Sequence, residues 1–200
     1  KRGKVQSASA EACRAGVVAG MPMLEALALC PRARVIKTDM QRYRDASAAL
    51  RGCLRSVCEA LEPEGLAAAF LDLRGAIDEP EALAVRLLQT VACELGLPLR
   101  VGIGPGKLVA RLAAEESGTA RWRYVRPADV SGFLASLSVE RLPHVGPKTA
   151  AALHALAAHS VGDLVRLSAS QLEPVLGRRA PEILALARGE DASPVRVEQH

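Results

Sequence analysis

Strand-like runs stop at Pro127, and no other feature of the chain limits its fold as much. Before that proline, short apolar stretches alternate with helical ones. Residues 4–8 read as a short strand, and Ser9 is placed to cap a helix through Arg14. Pro22 opens a helix continued by residues 23–30, residues 34–37 read as strand, and Asp39 caps an amphipathic helix to about Ala60. The near-continuous apolar run 65–73, bounded by Gly65 and Gly75, has the length and composition of a central buried strand. Then come a helix over Pro80–Leu95, a strand over 99–103, a helix over Lys107–Glu115 and an edge strand over 122–125. After Pro127 only short helices are expected, over about 128–137, 147–158, 161–167, 170–176 and 179–187. A layered α/β or α+β region followed by an all-helical one satisfies this order.

Charge is unevenly spread. Residues 1–59 carry 11 Lys and Arg against 5 Asp and Glu, residues 60–99 carry 2 against 7, and residues 100–126 carry 6 against 2. The net charge of +4 hints at a polyanionic partner. Aromatic residues make up only 2% of the chain, which argues against a surface that stacks single-stranded bases on rings. No apolar run approaches the ~20 residues that span a bilayer, so no membrane is expected and the cytoplasm, with the nucleoid, is the expected location. The five cysteines (Cys13, Cys30, Cys53, Cys58, Cys93) form no CxxC pair and read as reduced thiols. Among His144, His154, His159 and His200, only His154 and His159 come near ligand spacing, and no metal is assigned to them. The chain opens on Lys1 rather than Met, which we expect to mark a boundary within a longer polypeptide.

The strongest local signal is Leu142-Pro-His-Val-Gly-Pro-Lys-Thr-Ala150, followed by Leu153, Leu156, Val161, Gly162, Asp163 and Leu164. It resembles a helix–hairpin–helix, an element that grips DNA without reading its sequence. Gly146 allows a backbone to come close, and the helix that opens there turns unpaired N–H groups and its positive end toward a phosphate. Lys148 adds a point charge and Thr149 a hydroxyl, while His144 stands where the motif usually has glycine. His144, Val145, Gly146, Lys148 and Thr149 are therefore the expected DNA contacts. Such contacts position a duplex and carry no sequence information. An ordinary helical hairpin with a glycine turn is the plainer reading of the same residues.

The motifs also follow one another as in a known family. Arg2-Gly-Lys-Val5 through Gly16-Val17 to Met21-Pro22 is similar to the fingers segment of DinB-type, Y-family translesion DNA polymerases. Glu62-Pro-Glu-Gly-Leu-Ala-Ala-Ala-Phe-Leu-Asp72 resembles the palm strand that the family writes E-x-x-S-[IL]-D-E-A-Y-L-D. Val101-Gly-Ile-Gly104 with Lys107, Ala110 and Ala113 resembles a further palm segment, and Leu176-Gly-Arg-Arg179 through Ala187-Arg-Gly-Glu-Asp191 the end of the thumb. The resemblance implies an α+β fold with small fingers over 1–35, a palm with an antiparallel-dominated sheet over 36–126, and an all-α thumb over 127–200 that contains the helix–hairpin–helix. It places a first palm strand upstream of Lys1 and a little finger beyond His200.

In the family, an Asp-Glu pair on the palm strand holds two metal ions that join the primer 3′-oxygen to the triphosphate. Those two positions here are Ala67 and Ala68, which offer no lone pair. Asp72 lies ~13 Å beyond Ala68 along an extended strand and Glu64 ~26 Å from Asp72, so neither is expected to stand in. The fingers read Ala10-Glu-Ala-Cys13 where the family has Tyr-x-x-Arg, and Gly118-Thr119 stands where the palm has Lys. The resemblance is thus to an inactive, ImuB-like branch. It implies binding of duplex or primer–template DNA, no metal or other cofactor, and partnership with a replicative polymerase, a sliding clamp or another repair protein. An active error-prone polymerase, which would need magnesium, is one alternative; an unrelated α/β protein carrying the hairpin is another. Gly102-Ile-Gly-Pro-Gly-Lys107 fails the phosphate-loop spacing, since Val101 and Leu108 occupy the first-glycine and Ser/Thr positions. It reads as a strand-to-helix turn with some anion affinity, and Lys107 and Arg111, one turn apart, are placed to touch a backbone phosphate or remain solvated charges.

Overall fold

The computed structural model describes residues 3–74 and 79–197; Arg2, Gly75 and His200 from the motifs above lie outside the described residues. The chain forms two compact units, Lys1–Met40 and Gln41–His200.

The first unit closes on a small core of Val5, Val17 and Ala26. Helix α1 (Ala10–Arg14) is capped by the Ser9 hydroxyl, which accepts the Ala12 N–H at 3.3 Å. Helix α2 (Met23–Leu29) begins after Pro22. The strand expected over 4–8 shrinks to one bridge between Lys4 and Pro22, because Val5 bonds to Met21 and Gly20 and then has no extended partner. Residues 34–37 are not a strand either: no ladder pairs them, and Ile36 is 80% exposed.

In the second unit, α3 (Met40–Arg55) ends five residues earlier than its amphipathic pattern suggests. The Ser56 hydroxyl donates to the Cys53 carbonyl at 2.7 Å, and the chain turns toward β1 (Leu61–Glu64). The apolar run 65–73 is not one central buried strand. Gly65 takes φ +64° and folds residues 65–67 into a turn, so that only β2 (Ala68–Leu71) is strand, paired antiparallel with β1. Among the described residues no third strand joins this ladder, and Ala67 and Ala68 are exposed at its tip.

Helix α4 (Pro80–Leu95) has a proline at its start and a left-handed glycine, Gly96 at φ +62°, at its end. Its Leu83, Leu87 and Val91 pack with Leu50, Leu54 and Leu61. Strand β3 (Val101–Ile103) pairs parallel with β4 (Trp122–Tyr124), and α5 (Lys107–Glu115) makes the crossover between them. The two ladders hold four antiparallel and three parallel residue pairs.

After β4 every described regular element is helical: α6 (Val130–Ala135), α7 (Pro147–Ala155), α8 (Val161–Arg166), α9 (Ala169–Leu176) and α10 (Ala180–Ala187). Ser160 and Asp163 form a reciprocal capping box on α8, and Ser168 and Gln171 one on α9. The change in secondary structure at Pro127 is not a break in packing. A single apolar cluster runs from Leu108, Val109, Leu112 and Ala113 of α5 through Leu134, Leu153 and Leu164 to Ala187.

Candidate nucleic-acid interface

The turn ahead of α7 is anchored from below and open above. Leu142 and Val145 are buried at 3% and 7% exposure, with the Val145 N–H bonded to the Leu142 carbonyl. Gly146 is the residue before α7 and no side chain caps the helix. Pro147 has no N–H, and the first helical bond runs from the Ala150 N–H to the Gly146 carbonyl at 2.9 Å. The N–H groups of Lys148 and Thr149 therefore lack helical partners and lie at the positive end of the helix dipole. Gly146, Pro147 and Lys148 are exposed, and Thr149 is half-buried.

Backbone strain in this turn falls on His144 and not on Gly146. Gly146 sits at φ −82°, which any residue adopts, and a Cβ built there meets nothing within 4 Å. The left-handed residue is His144, at φ +65°, the position where the motif carries glycine. A histidine held there costs about 1 kcal/mol relative to glycine. Its Nε2 lies 3.8 Å from Glu182 Oε1 in the first turn of α10. His144→Gly is expected to leave stability unchanged or raise it by up to about 1 kcal/mol in a denaturant titration, relief of the turn being offset by backbone entropy. The segment before the turn, Val139–Arg141, is a single 3₁₀ turn.

Sequence reasoning passed over two neighbours of this turn. Arg178 and Arg179 are exposed and precede α10, the helix that brings Glu182 to His144. Neither has an acidic partner among the described residues, and the signal was there in Leu176-Gly-Arg-Arg179.

Lys107 and Arg111 lie elsewhere, on α5 against the β1–β2 hairpin. Glu62 Oε2 accepts from Lys107 Nζ at 2.5 Å and from the Arg196 backbone N–H at 2.5 Å. Arg111 pairs with Glu64. Both cations also sit over the Phe70 ring, 5.4 and 5.5 Å from its centroid. The Lys107 side chain is only 15% exposed. The backbone N–H of Arg196 and the Lys107 ammonium hold the Glu62 carboxyl below its ordinary range. The turn before α5 does hold an anion, but an internal one. Asp191 Oδ2 accepts the Leu108 N–H at 2.8 Å, and Gly106 leaves room for it. Burial alone would raise the Asp191 carboxyl, but bonds from Ser193 and the Leu108 N–H overcome it and the carboxyl titrates low.

The β1–β2 register adds what spacing along the chain does not show. The hairpin places Glu64 directly opposite Ala68 and Glu62 opposite Phe70. The cross-strand partner of the second alanine is thus a carboxylate. Asp72 stays apart: it is bound by Arg74 through Nε at 2.9 Å and through the backbone N–H at 3.1 Å, with its carboxyl lowered by those bonds. The donor set at the hairpin tip does not fit a divalent cation, since Ala67 and Ala68 offer no ligand and Glu62 and Glu64 are each paired with a side-chain cation. Among the described residues, no three His, Cys, Asp or Glu side chains come together as metal ligands. The rings of His154 and His159 do meet, centroids 4.7 Å apart, with Glu140 Oε1 3.3 Å from His154 Nε2.

A family model described as impB/mucB/samB matches residues 1–115, more than half of the chain. The chain belongs to the impB/mucB/samB family. Curated relatives of this impB/mucB/samB protein include a DNA polymerase IV of Methanoculleus marisnigri, 36% identical over 98% of this chain and 55% of the relative. Another is a DNA polymerase IV of Caulobacter vibrioides, 32% identical over 100% of this chain and 50% of the relative. The chain thus spans about half the length of the curated relatives it matches. Among solved structures, DinB from Sulfolobus solfataricus superposes with a TM-score of 0.88 at 26% identity, covering 98% of this chain and 59% of that one. An insertion ternary complex of Dbh DNA polymerase gives 0.88 at 27%, covering 97% and 58%. The fold is therefore that of Y-family polymerases, α+β with a helical C-terminal region. Among the described residues no helix is long and apolar enough to cross a membrane.

Proposed function

We propose that this chain is the DNA-holding part of a Y-family polymerase-like protein that does not itself join nucleotides and serves as an accessory in translesion synthesis. The observation that carries the proposal is a contrast between two sites in one fold. At the helical site, Gly146, Lys148 and the free N–H groups of α7 face solvent in an uncapped turn suited to a backbone phosphate. At the palm site, the positions at which the family has its Asp-Glu pair are exposed alanines, and the neighbouring acids are tied to Lys107 and Arg111. The helix–hairpin–helix reading of residues 142–164 supplies the grip, and His144, Val145 and Thr149 shape or flank its turn.

The partner on this reading is duplex or primer–template DNA in the cytoplasm, at the nucleoid. A replicative polymerase, a sliding clamp or a further repair protein would supply the synthesis that the alanine positions do not support. Titration of a labelled primer–template in an electrophoretic mobility assay tests the grip. A shift at low salt that weakens steeply as salt rises is expected, because each phosphate neutralised releases counterions. No shift at low salt would contradict the proposal.

A further inference from the structure

We infer that alanine at 67 and 68 frees this hairpin, and DNA held against it, from any need for divalent cations. The inference rests on the DNA-holding reading above and concerns how the palm face meets a polyanion. Residues opposite one another in an antiparallel ladder have Cβ atoms about 5 Å apart, and like charges there repel. Because Ala68 pairs with Glu64, an acid at 68 would confront a carboxylate across the ladder, and an acid at 67 would add a second charge at the exposed tip. With Arg111 already committed to Glu64, a further cation at the tip would relieve that. The chain as it stands has two acids on this face, Glu62 and Glu64, and α5 delivers two cations, Lys107 and Arg111, one to each. Phe70, on the same face, underlies both cations and helps fix them. The work of a bound metal, neutralising hairpin carboxylates, is done by side chains of the protein. A phosphate approaching the tip then meets two methyl groups instead of two carboxylates.

The test compares the wild type with the acidic variant A67D/A68E and the neutral control A67N/A68Q. Fluorescence anisotropy of a labelled primer–template is measured in EDTA and in magnesium at matched ionic strength. Wild type and A67N/A68Q are expected to bind within twofold of the same Kd in both buffers. A67D/A68E is expected to bind roughly fivefold to tenfold more weakly in EDTA, from like-charge repulsion at the tip, and to recover in magnesium. Wild-type binding that is lost in EDTA, or an acidic variant indifferent to magnesium, overturns the inference. Thermal melting reads the hairpin without DNA: magnesium should raise the midpoint of A67D/A68E and leave the wild type unmoved. A magnesium-dependent rise in the wild type overturns the inference on its own. Failure of the wild type to bind DNA in either buffer counts instead against the DNA-holding reading, with the melting comparison still deciding this one.

Discussion

Gly102→Ala is expected to destabilise the second unit by more than about 3 kcal/mol and to lower its melting midpoint by roughly 6–12 °C, if folded protein is obtained. A Cβ at Gly102 would lie 1.9 Å from the Ala110 carbonyl oxygen and 2.3 Å from the Ala114 nitrogen. Both are main-chain atoms of α5, so no side chain can swing away. Relief would require the crossover helix to lift off β3, opening the contact on which the Leu108–Ala113 part of the core depends. Calorimetry of the variant beside the wild type checks this, and an unchanged midpoint would contradict the close packing of α5 on β3. Gly146 is the counter-example. It has open space around it and an ordinary φ, so Gly146→Ala should leave the midpoint unmoved while weakening DNA binding, the added methyl standing between the turn and a phosphate.

Lys148→Glu is expected to weaken primer–template binding at low salt roughly tenfold to thirtyfold. At ~4 Å in water, a lysine–phosphate attraction is worth about 1 kcal/mol, and the variant exchanges it for a repulsion of similar size. The slope of log affinity against log salt should also become shallower by about one, the share of one lost phosphate contact. Lys148 is exposed on the first turn of α7 and makes no ion pair among the described residues, so the fold should be indifferent to the change. Mobility shifts over a salt series, with circular dichroism as the control for folding, measure both quantities. Equal affinity for variant and wild type would remove the hairpin from the interface.

Much of the fold was legible because local rules and packing agree in those segments. Pro80–Leu95 and Lys107–Glu115 appear with the expected bounds: the first has a proline start, a glycine stop and an apolar face that agree, and the second opens after Gly106 and buries Leu108, Val109, Leu112 and Ala113 on one face. The ladders were harder to read. Run 65–73 has the composition of a buried strand, yet Gly65 bends it into a hairpin whose partner, Leu61–Glu64, includes a proline and two glutamates and gives little strand signal. Register is a long-range property. For that reason the pairing of Glu64 with Ala68, which sets the electrostatics of the tip, could not be had from spacing along the chain.

The same limit shaped the reading of the sites. The turn was visible as a local motif, and its left-handed residue is His144, where the motif usually has glycine. Lys107 and Arg111 read as phosphate contacts or solvated charges because their protein partners lie 45 and 47 residues away in sequence. The anion at the α5 turn was more distant still, an aspartate 83 residues downstream. Charge patterning shows where cations are, and only the fold shows what they have already been given.

Primer extension by the full-length protein, in magnesium and in manganese, on a primer–template that the same preparation demonstrably shifts, tests the central claim most directly. Bound DNA with no nucleotide added is the predicted result. Steady incorporation of deoxynucleotides, abolished by a chelator, would contradict it and show that a working metal site forms despite the alanines at 67 and 68.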